Sequence, residues 1–597
     1  FFLYNIKWWS SMKRCEVDKN KLSPMMLQYL NIKEQNEDAI IFFRLGDFYE
    51  MFFEDAELVS RLLELTLTGK NCGLEERVPM CGIPYHAYLG YLEKLVSLGY
   101  KVAICEQLTP PDKKGVVERG VVQIVTRGTL MDSSALDEKT NNYIGSIYDY
   151  NHCYAISYAD ISTGVMYSIL IDYDEEKLIN EIIRIDIKEL IVNDKINRKI
   201  INTLREKYNI LITISNNFLE NKYEHTYENI QDIRITNSIK HLLFYLQEMK
   251  KGNLNHLQKS IIIDKNDSLE IDIHSKRNLE LVETLRLKER TYSLLWMLDK
   301  TKTAMGSRLL KKWIESPLVN KQKIEKRYEL ISTLLTEFIL KEELRDLLNN
   351  VYDLERLSGR IAYGNLNARD LIQLKNSIKT FPEIKKILKE INYEDTFDTL
   401  DDLKDLLEKS INEDAPITIK EGNIIKDGFN SELDELRSIR SGGKNFISNF
   451  EKEEKDRTGI RTLKVGYNKI FGYYIEISKG QLSLVKDEFM YERKQTLANC
   501  ERFITPLLKE KENLILNAEE KINSLEYDIF CNIKEEIKKY TSKLQKVSNI
   551  IAYYDVISTF AKVAEENNFI KPTINTDNNL HIIGGRHPEV ESVIDKE

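Results

Sequence analysis

The segment 462–478 reads T-L-K-V-G-Y-N-K-I-F-G-Y-Y-I-E-I-S, and its polar and apolar residues alternate as they do in a β-strand. Before it, apolar residues at helical spacing predict a long helix over 431–454. After it, helix is predicted again from about 501 to 566. A small β-containing module is therefore predicted between two long helices, which suits a tip carried on a pair of helical arms.

The region before these arms, from about 237 to 407, is predicted to be mainly helical. Glycine and proline are sparse there, and apolar residues recur at helical spacing over 277–287, 306–314 and 366–378. Such a composition is typical of long levers rather than of a globular enzyme core.

Two regions of mixed helix and strand come first in the chain. The first, 22–132, predicts helices at 24–33 and 56–67 and strands at 39–43, 101–107 and 116–126. The second, 141–236, predicts strands at 143–148, 154–160 and 165–171 and a helix at 174–185. Because 597 residues leave room for about four domains, the predicted fold class is multidomain α/β plus all-α.

Charge is distributed unevenly along the chain. The whole sequence has a net charge of -9, which by itself excludes no class of partner. Residues 440–512 contain 15 Lys and Arg against 11 acids, so the predicted tip carries a net charge of +4. A basic tip on a negative body is what binding to a phosphate backbone requires. On charge alone, a solvated helical arm remains the alternative.

The cysteines and the apolar runs indicate a cytosolic protein. Seven scattered cysteines form no C-x-x-C pair, so we expect reduced thiols and no structural zinc. No apolar run approaches the roughly 18 residues of a membrane span. Residues 1–11 (F-F-L-Y-N-I-K-W-W-S-S) fit a signal peptide poorly, and we expect Met12 to be the true start, preceded by an upstream extension.

Motifs for enzymatic chemistry are weak. The segment 438–445, S-I-R-S-G-G-K-N, lacks the first glycine of a phosphate-binding loop and ends in Asn445 instead of a hydroxyl residue. We interpret it as a flexible break in an exposed helix. Asp149 and Asp160 lie near predicted strand ends and could pair in a metal-dependent nuclease, but ordinary strand-end acids are the favoured interpretation.

Four aromatic residues and two acids are crowded into L-G-D-F-Y-E-M-F-F, residues 45–53. In an extended segment Phe48 and Glu50 project to one side and Tyr49 to the other, so a ring and a carboxylate would probe one spot. An aromatic wedge can stack on a base and kink DNA. Bending a normal site costs roughly 1–6 kcal/mol, and bending a mispaired step should cost less. The carboxylate becomes useful if it accepts a hydrogen bond from a displaced base edge. A buried strand and turn is the alternative.

The same stretch belongs to a set of motifs that resembles the MutS family of DNA mismatch-recognition ATPases. The resemblance covers nearly the whole chain after Met12, in the family's order. Its motifs are L-S-P-M-M-L-Q-Y-L (22–30), F-F-R-L-G-D-F-Y-E-M-F (42–52), V-P-M-C-G-I-P-Y-H-A (78–87), V-A-I-C-E-Q (102–107), V-E-R-G-V-V-Q-I-V-T-R-G-T (117–129), K-R-N-L-E-L (276–281), M-G-S-R-L-L-K-K-W-I (305–314), D-L-E-R-L (353–357), the opening segment 462–478 and R-K-Q-T-L-A-N-C-E-R-F (493–503).

The resemblance implies an architecture. It comprises a mixed α/β mismatch-binding domain (12–132), a connector domain with an RNase H-like fold (133–250), a helical core of levers (251–430), a β-containing clamp with its flanking lever helix (431–515), returning lever helices (516–572) and the opening of an ATPase domain (573–597). The last is carried by I-G-G-R-H-P-E-V-E (583–591). Because no nucleotide-binding motif is present, we expect no ATP hydrolysis by this chain alone.

The resemblance also implies roles for residues. Phe48 corresponds to the ring that stacks on the mispaired base, and Glu50 to the acid that hydrogen-bonds it. Tyr49, Phe52 and Phe53 are expected to be packing residues. The clamp-like segments would place Lys464, Lys469, Lys494 and Arg502 against backbone phosphates.

For the family, the implied partners are double-stranded DNA with mismatches or small insertion/deletion loops, a second copy of the chain and a MutL-like protein. The implied cofactors are ATP and Mg²⁺, and the implied location is the bacterial cytosol near the nucleoid. The alternatives are a metal-dependent nuclease and a MutS-related DNA-binding protein that does not detect mismatches. The latter branch lacks the mismatch-binding domain.

Overall fold

The computed structural model describes residues 13–14, 17–109, 117–131, 136–250, 252–264, 266–391, 397–416, 422–468, 472–577 and 579–593. The chain divides into two compact units. Unit 1 falls within residues 1–365, 380–398 and 541–597, and unit 2 within 366–379 and 399–540.

Unit 1 begins with an α/β domain built on a six-stranded sheet of order β3-β4-β2-β1-β5-β6, in which β1 and β5 are parallel and the other neighbours antiparallel. The predicted helix 24–33 and strands 39–43 and 101–107 are confirmed within two residues at each end. The elements are α1 (Pro24–Gln35), β1 (Ala39–Leu45), β2 (Phe48–Phe52), α2 (Phe53–Leu63), β3 (Thr68–Lys70), β4 (Val78–Pro84), α3 (Tyr88–Ser97), β5 (Lys101–Gln107) and β6 (Arg119–Val125).

The two faces of this sheet bury different side chains because successive strand residues point to opposite sides. Ile41 and Phe43 of β1 pack with α1 on one face, together with Phe52. Phe42 of β1 and Tyr49 of β2 pack with α2 and α3 on the other face. The strands that lead to the segment 45–53 are therefore held on both sides.

A buried ion pair joins α1 to α2. Lys33 Nζ lies 2.8 Å from Asp55 Oδ1 and donates to the carbonyl oxygen of Ala39 at 2.7 Å. Asp55 also accepts from the Ile41 N–H and from the Tyr29 hydroxyl. Because both charges are hydrogen-bonded, their burial is compensated, and the network fixes the start of β1 between the two helices.

The second domain of unit 1 has a six-stranded sheet of order β11-β10-β7-β8-β9-β12. Strands β7, β8 and β9 are antiparallel, whereas β10 and β11 run parallel to β7. The predicted second α/β domain is confirmed. Its elements are β7 (Tyr143–Asp149), β8 (Cys153–Asp160), β9 (Val165–Asp172), α4 (Glu175–Ile185), β10 (Ile187–Val192), α5 (Arg198–Tyr208), β11 (Leu211–Ile214), α6 (Ile233–Lys250) and β12 (Ile261–Ile262).

The rest of the described chain is mainly helical. In chain order it forms α7 (Ile273–Asn278), α8 (Leu294–Leu298), α9 (Ala304–Glu315), α10 (Lys321–Thr336), α11 (Phe338–Leu348), α12 (Leu354–Tyr363), α13 (Ala368–Lys379), α14 (Phe381–Glu390), α15 (Asp401–Ser410), α16 (Ser431–Thr458), β13 (Lys464–Asn468), β14 (Gly472–Ser478), β15 (Glu492–Thr496), β16 (Cys500–Ile504), α17 (Pro506–Lys538), α18 (Thr541–Asn567) and α19 (Pro588–Val593).

Within unit 1, helix α18 is the axis of the helical part. It packs against α8 to α12, and its Ile551, Val556, Ile557 and Ala561 are fully buried or nearly so. Within unit 1, the part of the predicted lever region that forms α8 to α12 is thus a set of helices of 5 to 16 residues around one helix of 27.

Unit 2 contains the β-module that the sequence predicts between two arms. Helices α16 and α17 pack on each other, and the antiparallel sheet β13-β14-β16-β15 connects them. Gly459, with φ +70°, ends α16, and Thr505 caps the start of α17 by accepting from the Leu508 N–H. At 28 residues, α16 is about 42 Å long. The arms and tip are confirmed.

Several predicted boundaries are wrong. The helix predicted over 277–287 ends at Asn278, because Glu280 has φ +48° and the chain turns. The predicted break at 441–443 is absent, since α16 runs through it. Residues from Cys500 to Ile504 form a strand paired with β14 and β15, so the returning helix begins only at Pro506, and α17 ends before α18 begins.

No helix in the described ranges is long and apolar enough to cross a membrane. Among the same residues, no cluster of three or more His, Cys, Asp or Glu side chains is placed to hold a metal ion. The cysteines that the structure describes are free thiols. Met12 and residues 1–11 lie outside the described residues.

Candidate nucleic-acid interface

The hairpin between β1 and β2 carries the candidate wedge. Leu45 pairs with Phe48, so Gly46 and Asp47 form a two-residue turn. Gly46 has φ +58°, a conformation that glycine adopts at little steric cost, which accounts for the glycine that opens the segment. Phe48 is therefore the first residue after a tight turn, at the end of its strand.

The side chains of β2 alternate as the sequence predicts. Phe48 is 47% exposed, whereas Tyr49, Phe52 and Phe53 are at most 1% exposed. Glu50, two residues after Phe48, is partly exposed. The prediction that Phe48 stands apart from packing aromatics is confirmed, and an exposed phenylalanine ring at a strand end is available for a partner.

Phe48 and Glu50 border the same point of the sheet. Their partners on β4 are Pro84 and Gly82. A Cβ atom on Gly82 would lie 3.6 Å from Glu50 Cγ and 3.8 Å from Phe48 Cδ1. Gly82 thus leaves a small gap between the Phe48 ring and the Glu50 side chain. A planar group stacked on the Phe48 ring would have the Glu50 carboxylate beside its edge.

Arg44 braces the hairpin from the opposite face. Its guanidinium lies 3.4 Å from the centroid of the Tyr85 ring and 5.5 Å from that of Tyr49. Its Nε donates to the Gly46 carbonyl oxygen, and its own carbonyl oxygen accepts from Arg119 Nε at 2.8 Å. These contacts hold the turn, so that Phe48 projects from a rigid element.

Tyr49 illustrates how the buried side of β2 is fixed. Its hydroxyl donates to Glu106 Oε1, and burial, reinforced by this carboxylate, raises the pKa of Tyr49 far above its ordinary value. The phenol therefore stays protonated and tied to β5.

The structure adds one residue that sequence reasoning missed. Lys70 Nζ forms an ion pair with Glu50 Oε2 at 2.5 Å, with side chains 32% and 15% exposed respectively. Lys70 is twenty residues away on β3, which is separated from β2 by β4. No local spacing could have revealed the pair, because it depends on the strand order.

The predicted phosphate contacts of unit 2 fall on its four-stranded sheet. Lys464 pairs with Glu476 across β13 and β14, and Glu476 pairs with Arg502 across β14 and β16. Ile475 and Ile477, on either side of Glu476, are buried in the core of the module. Lys464, Glu476 and Arg502 therefore share the outer face of the sheet.

These basic residues differ in availability. Lys464 is exposed, and no ion pair joins it to another described residue. Arg502 donates to Glu476 and Gln495 at 3.0 Å each, and its guanidinium lies 4.3 Å from the Tyr474 ring centroid. Lys464 is thus available to bind an anion, whereas the Arg502 guanidinium already forms hydrogen bonds within the sheet.

Lys494 occupies a β-bulge. The register shifts between Arg493 and Gln495, so Lys494 is the extra residue of β15, and it pairs with Glu492 at 2.5 Å. Lys469 lies outside the described residues. Of the four predicted phosphate contacts, the structure places Lys464 and Arg502 on one face.

The nuclease alternative is wrong in its geometry. Tyr143 pairs with Asp160 and Asp149 pairs with Tyr154, so the two acids occupy opposite ends of the β7–β8 hairpin. Six residues of strand separate them, about 20 Å. Asp160 is buried and accepts from the backbone N–H groups of Asn142 and Ser162. The two acids cannot share one metal ion.

Comparison with known proteins covers all of these elements. Family descriptions of MutS domain I, MutS domain II and MutS domain III match residues 23–134, 142–258 and 274–561. The chain is 45% identical over 582 residues to the DNA mismatch repair protein MutS of Bacillus velezensis and 47% identical over 588 residues to that of Clostridium tetani. In both alignments 96% of this chain and 67% of the relative are covered.

Proposed function

Since the chain belongs to the MutS family of DNA mismatch repair proteins, we propose that it recognises mispaired duplex DNA by inserting Phe48 beside the mispair. The observation that carries this proposal is the exposure of Phe48. Its ring is 47% exposed at a braced strand end, while the three neighbouring aromatics are buried. A ring held at a braced strand end can be covered by a flat partner, and a base is a flat partner of the right kind.

Glu50 supplies discrimination in this proposal. Stacking by itself is tolerant of base identity, because every base has a flat face. A carboxylate at the edge of the stacked base can accept a hydrogen bond from a pairing N–H of that base once the base is displaced from normal pairing. The short separation of Phe48 and Glu50 around Gly82 supports a shared contact with one nucleotide.

Bending explains why a mispair is selected. An aromatic wedge kinks the duplex, and the cost of the kink depends on how well the invaded step is stacked. A mispaired step is already poorly stacked, so it yields at lower cost than its matched counterpart. The preference for a mispaired duplex then follows from the easier bending of the mispaired step, together with the hydrogen bond that Glu50 accepts from the base.

We assign the family's domains to this chain in the same terms. Residues 12–132 form the mismatch-binding domain, 133–250 an RNase H-like connector, 251–430 the helical core, 431–515 the clamp with its lever helix, 516–572 the returning levers and 573–597 the opening of an ATPase domain. The antiparallel β7–β9 followed by parallel β10 and β11 supports the connector assignment. The sheet inserted between α16 and α17 supports the clamp.

In the clamp, Lys464 is our first candidate for a backbone phosphate contact, because it is exposed and has no described ion pair. Lys469, Lys494 and Arg502 are further candidates. Contacts of this kind position the protein on DNA without reading sequence. A second copy of the chain and a MutL-like protein are proposed partners.

ATP and Mg²⁺ are cofactors of the family, but the residues described here do not fit a nucleotide at the one segment that resembles a phosphate-binding loop. Residues 438–445 lie inside the continuous helix α16, where backbone N–H groups are used within the helix. We therefore propose DNA recognition by these residues without a nucleotide step.

The direct test is binding of the purified protein to a duplex with one mispair and to the same duplex fully matched. We expect the mispaired duplex to bind about tenfold more tightly, a difference of about 1.4 kcal/mol. Equal dissociation constants would reject mismatch recognition and leave the MutS-related branch that does not detect mispairs.

A further inference from the structure

Lys70 reaches the acid of the candidate wedge from two strands away. It is the last residue of β3 and pairs with Val78, whereas Glu50 pairs with Gly82 of the same intervening strand. The lysine side chain therefore runs along β4 to place Nζ 2.5 Å from Glu50 Oε2. The Phe52 ring, 5.8 Å from Nζ, lines this path.

The pair leaves one carboxylate oxygen of Glu50 open. Oε2 is held by Lys70, and Oε1 accepts no hydrogen bond from any residue within the described ranges. Lys70 is also the sole ion-pair partner of Glu50 among those residues. An ionised carboxylate accepts several hydrogen bonds, so Oε1 can receive an N–H while Oε2 stays bound to the lysine.

The charge of Glu50 creates a problem that Lys70 solves. A carboxylate near DNA is repelled by the phosphates, and this repulsion acts on matched and mispaired duplexes alike. The Lys70 ammonium group in contact with the Glu50 carboxylate offsets its charge, so the pair has no net charge. The repulsion is then reduced, while the acceptor atom directed at the base is retained.

We propose that Lys70 is a positioning residue for mismatch recognition. It fixes the orientation of the Glu50 carboxylate and offsets its charge, so that Oε1 accepts from the edge of the mispaired base stacked on Phe48. This role rests on the proposed function of the Phe48 and Glu50 site.

A double-mutant cycle separates this role from a simple phosphate contact. Dissociation constants are measured for the parent, Lys70→Met, Glu50→Gln and the double variant, each with a mispaired duplex and its matched control. In the parent background we expect Lys70→Met to weaken binding to the mispaired duplex about tenfold. In the Glu50→Gln background we expect a loss of about threefold or less, equal for both duplexes.

Two variants control for folding and for charge. Lys70→Arg keeps a cation on Glu50 and should retain at least about half of the parent's preference for the mispair. Lys101→Met removes a lysine that pairs with Asp38 in the same domain, 2.8 Å away, and should leave both dissociation constants unchanged. Thermal melting of each variant verifies that the domain is folded.

The outcomes are distinguishable. A parent protein that binds both duplexes equally would reject the proposed function and the role of Lys70 together. A parent that prefers the mispair, with the same loss from Lys70→Met in both backgrounds, would reject the role of Lys70 alone and make it a phosphate contact. The positioning role is supported if Lys70→Met weakens binding to the mispaired duplex only when Glu50 is present, and if Lys70→Arg retains the preference for the mispair.

Discussion

Gly306 of α9 lies directly against Asp555 of α18: a Cβ atom on Gly306 would be 2.3 Å from Asp555 Oδ2. Asp555 is buried and accepts from the backbone N–H groups of Lys302 and Thr303 and from the Thr303 hydroxyl. Burial raises the pKa of Asp555 to about 6, although these hydrogen bonds oppose the shift. The start of α9 is thus joined to α18 at a point where only a glycine leaves room.

We expect Gly306→Ala to destabilise the protein by about 2 kcal/mol, because the added methyl group must displace a hydrogen-bonded carboxylate. Thermal melting measures the effect. Gly90→Ala is the matched control: Gly90 lies in α3, is exposed and has open space around its Cβ position, so alanine should raise stability slightly. Equal melting temperatures for Gly306→Ala and the parent would contradict the close packing.

Lys250, the last residue of α6, is a buried cation without a hydrogen-bond partner for Nζ within the described residues. Burial lowers its pKa from 10.5 to about 7, and the Tyr363 ring lies 5.1 Å from Nζ. Nearby His256 is also buried, and burial lowers its pKa to about 4, so it stays neutral above that pH. The unfolded chain therefore binds more protons than the folded one between pH 7 and 10.5, and this group makes stability rise with pH across that window.

Lys250→Met should accordingly stabilise the protein, by about 4 kcal/mol at pH 7 and by progressively less as pH approaches 10.5. Melting temperatures at pH 7 and 9.5 provide the comparison. Lys33→Met is the control, since Lys33 is also buried but is paired with Asp55, and its loss should destabilise at both pH values. A gain from Lys250→Met that is independent of pH would contradict an unpaired buried lysine.

Lys464 tests the clamp separately from the wedge. We expect Lys464→Gln to weaken binding to mispaired and matched duplexes by the same factor and to lower the salt dependence of binding by about one counterion. Titrations at several salt concentrations provide the slope. Lys177→Gln, which removes an exposed lysine of α4, should change neither quantity. A change in the preference for the mispair would show that Lys464 does more than contact phosphate.

Features of the fold that depend only on neighbouring residues are predictable from the sequence. The alternation of Phe48 and Glu50 with Tyr49 follows from strand geometry, so the sequence predicts it correctly. The strand 101–107 is predicted to the residue because its middle, 102–105, is an apolar run buried on both faces. Both inferences need only neighbouring residues.

Features that depend on distant residues were missed. The Lys70–Glu50 pair requires the order of β2, β4 and β3, and nothing in the sequence near residue 70 specifies it. The strand from Cys500 to Ile504 has a helix-compatible sequence and is extended because β14 and β15 pair with it. The helix predicted at 277–287 fails because the chain turns at Glu280, which has φ +48°, so Leu281 is buried while Leu279 and Leu287 are exposed.

The wedge is tested most directly by Phe48→Ala, with dissociation constants measured for one mispaired duplex and its matched control. We expect affinity for the mispaired duplex to fall about tenfold or more, to that of the matched duplex, because one base–ring stack is removed. Phe338→Ala, which removes a ring of similar exposure on α11, should keep the parent's ratio. If Phe48→Ala preferred the mispair by the same ratio as the parent, Phe48 would not be the residue that recognises it.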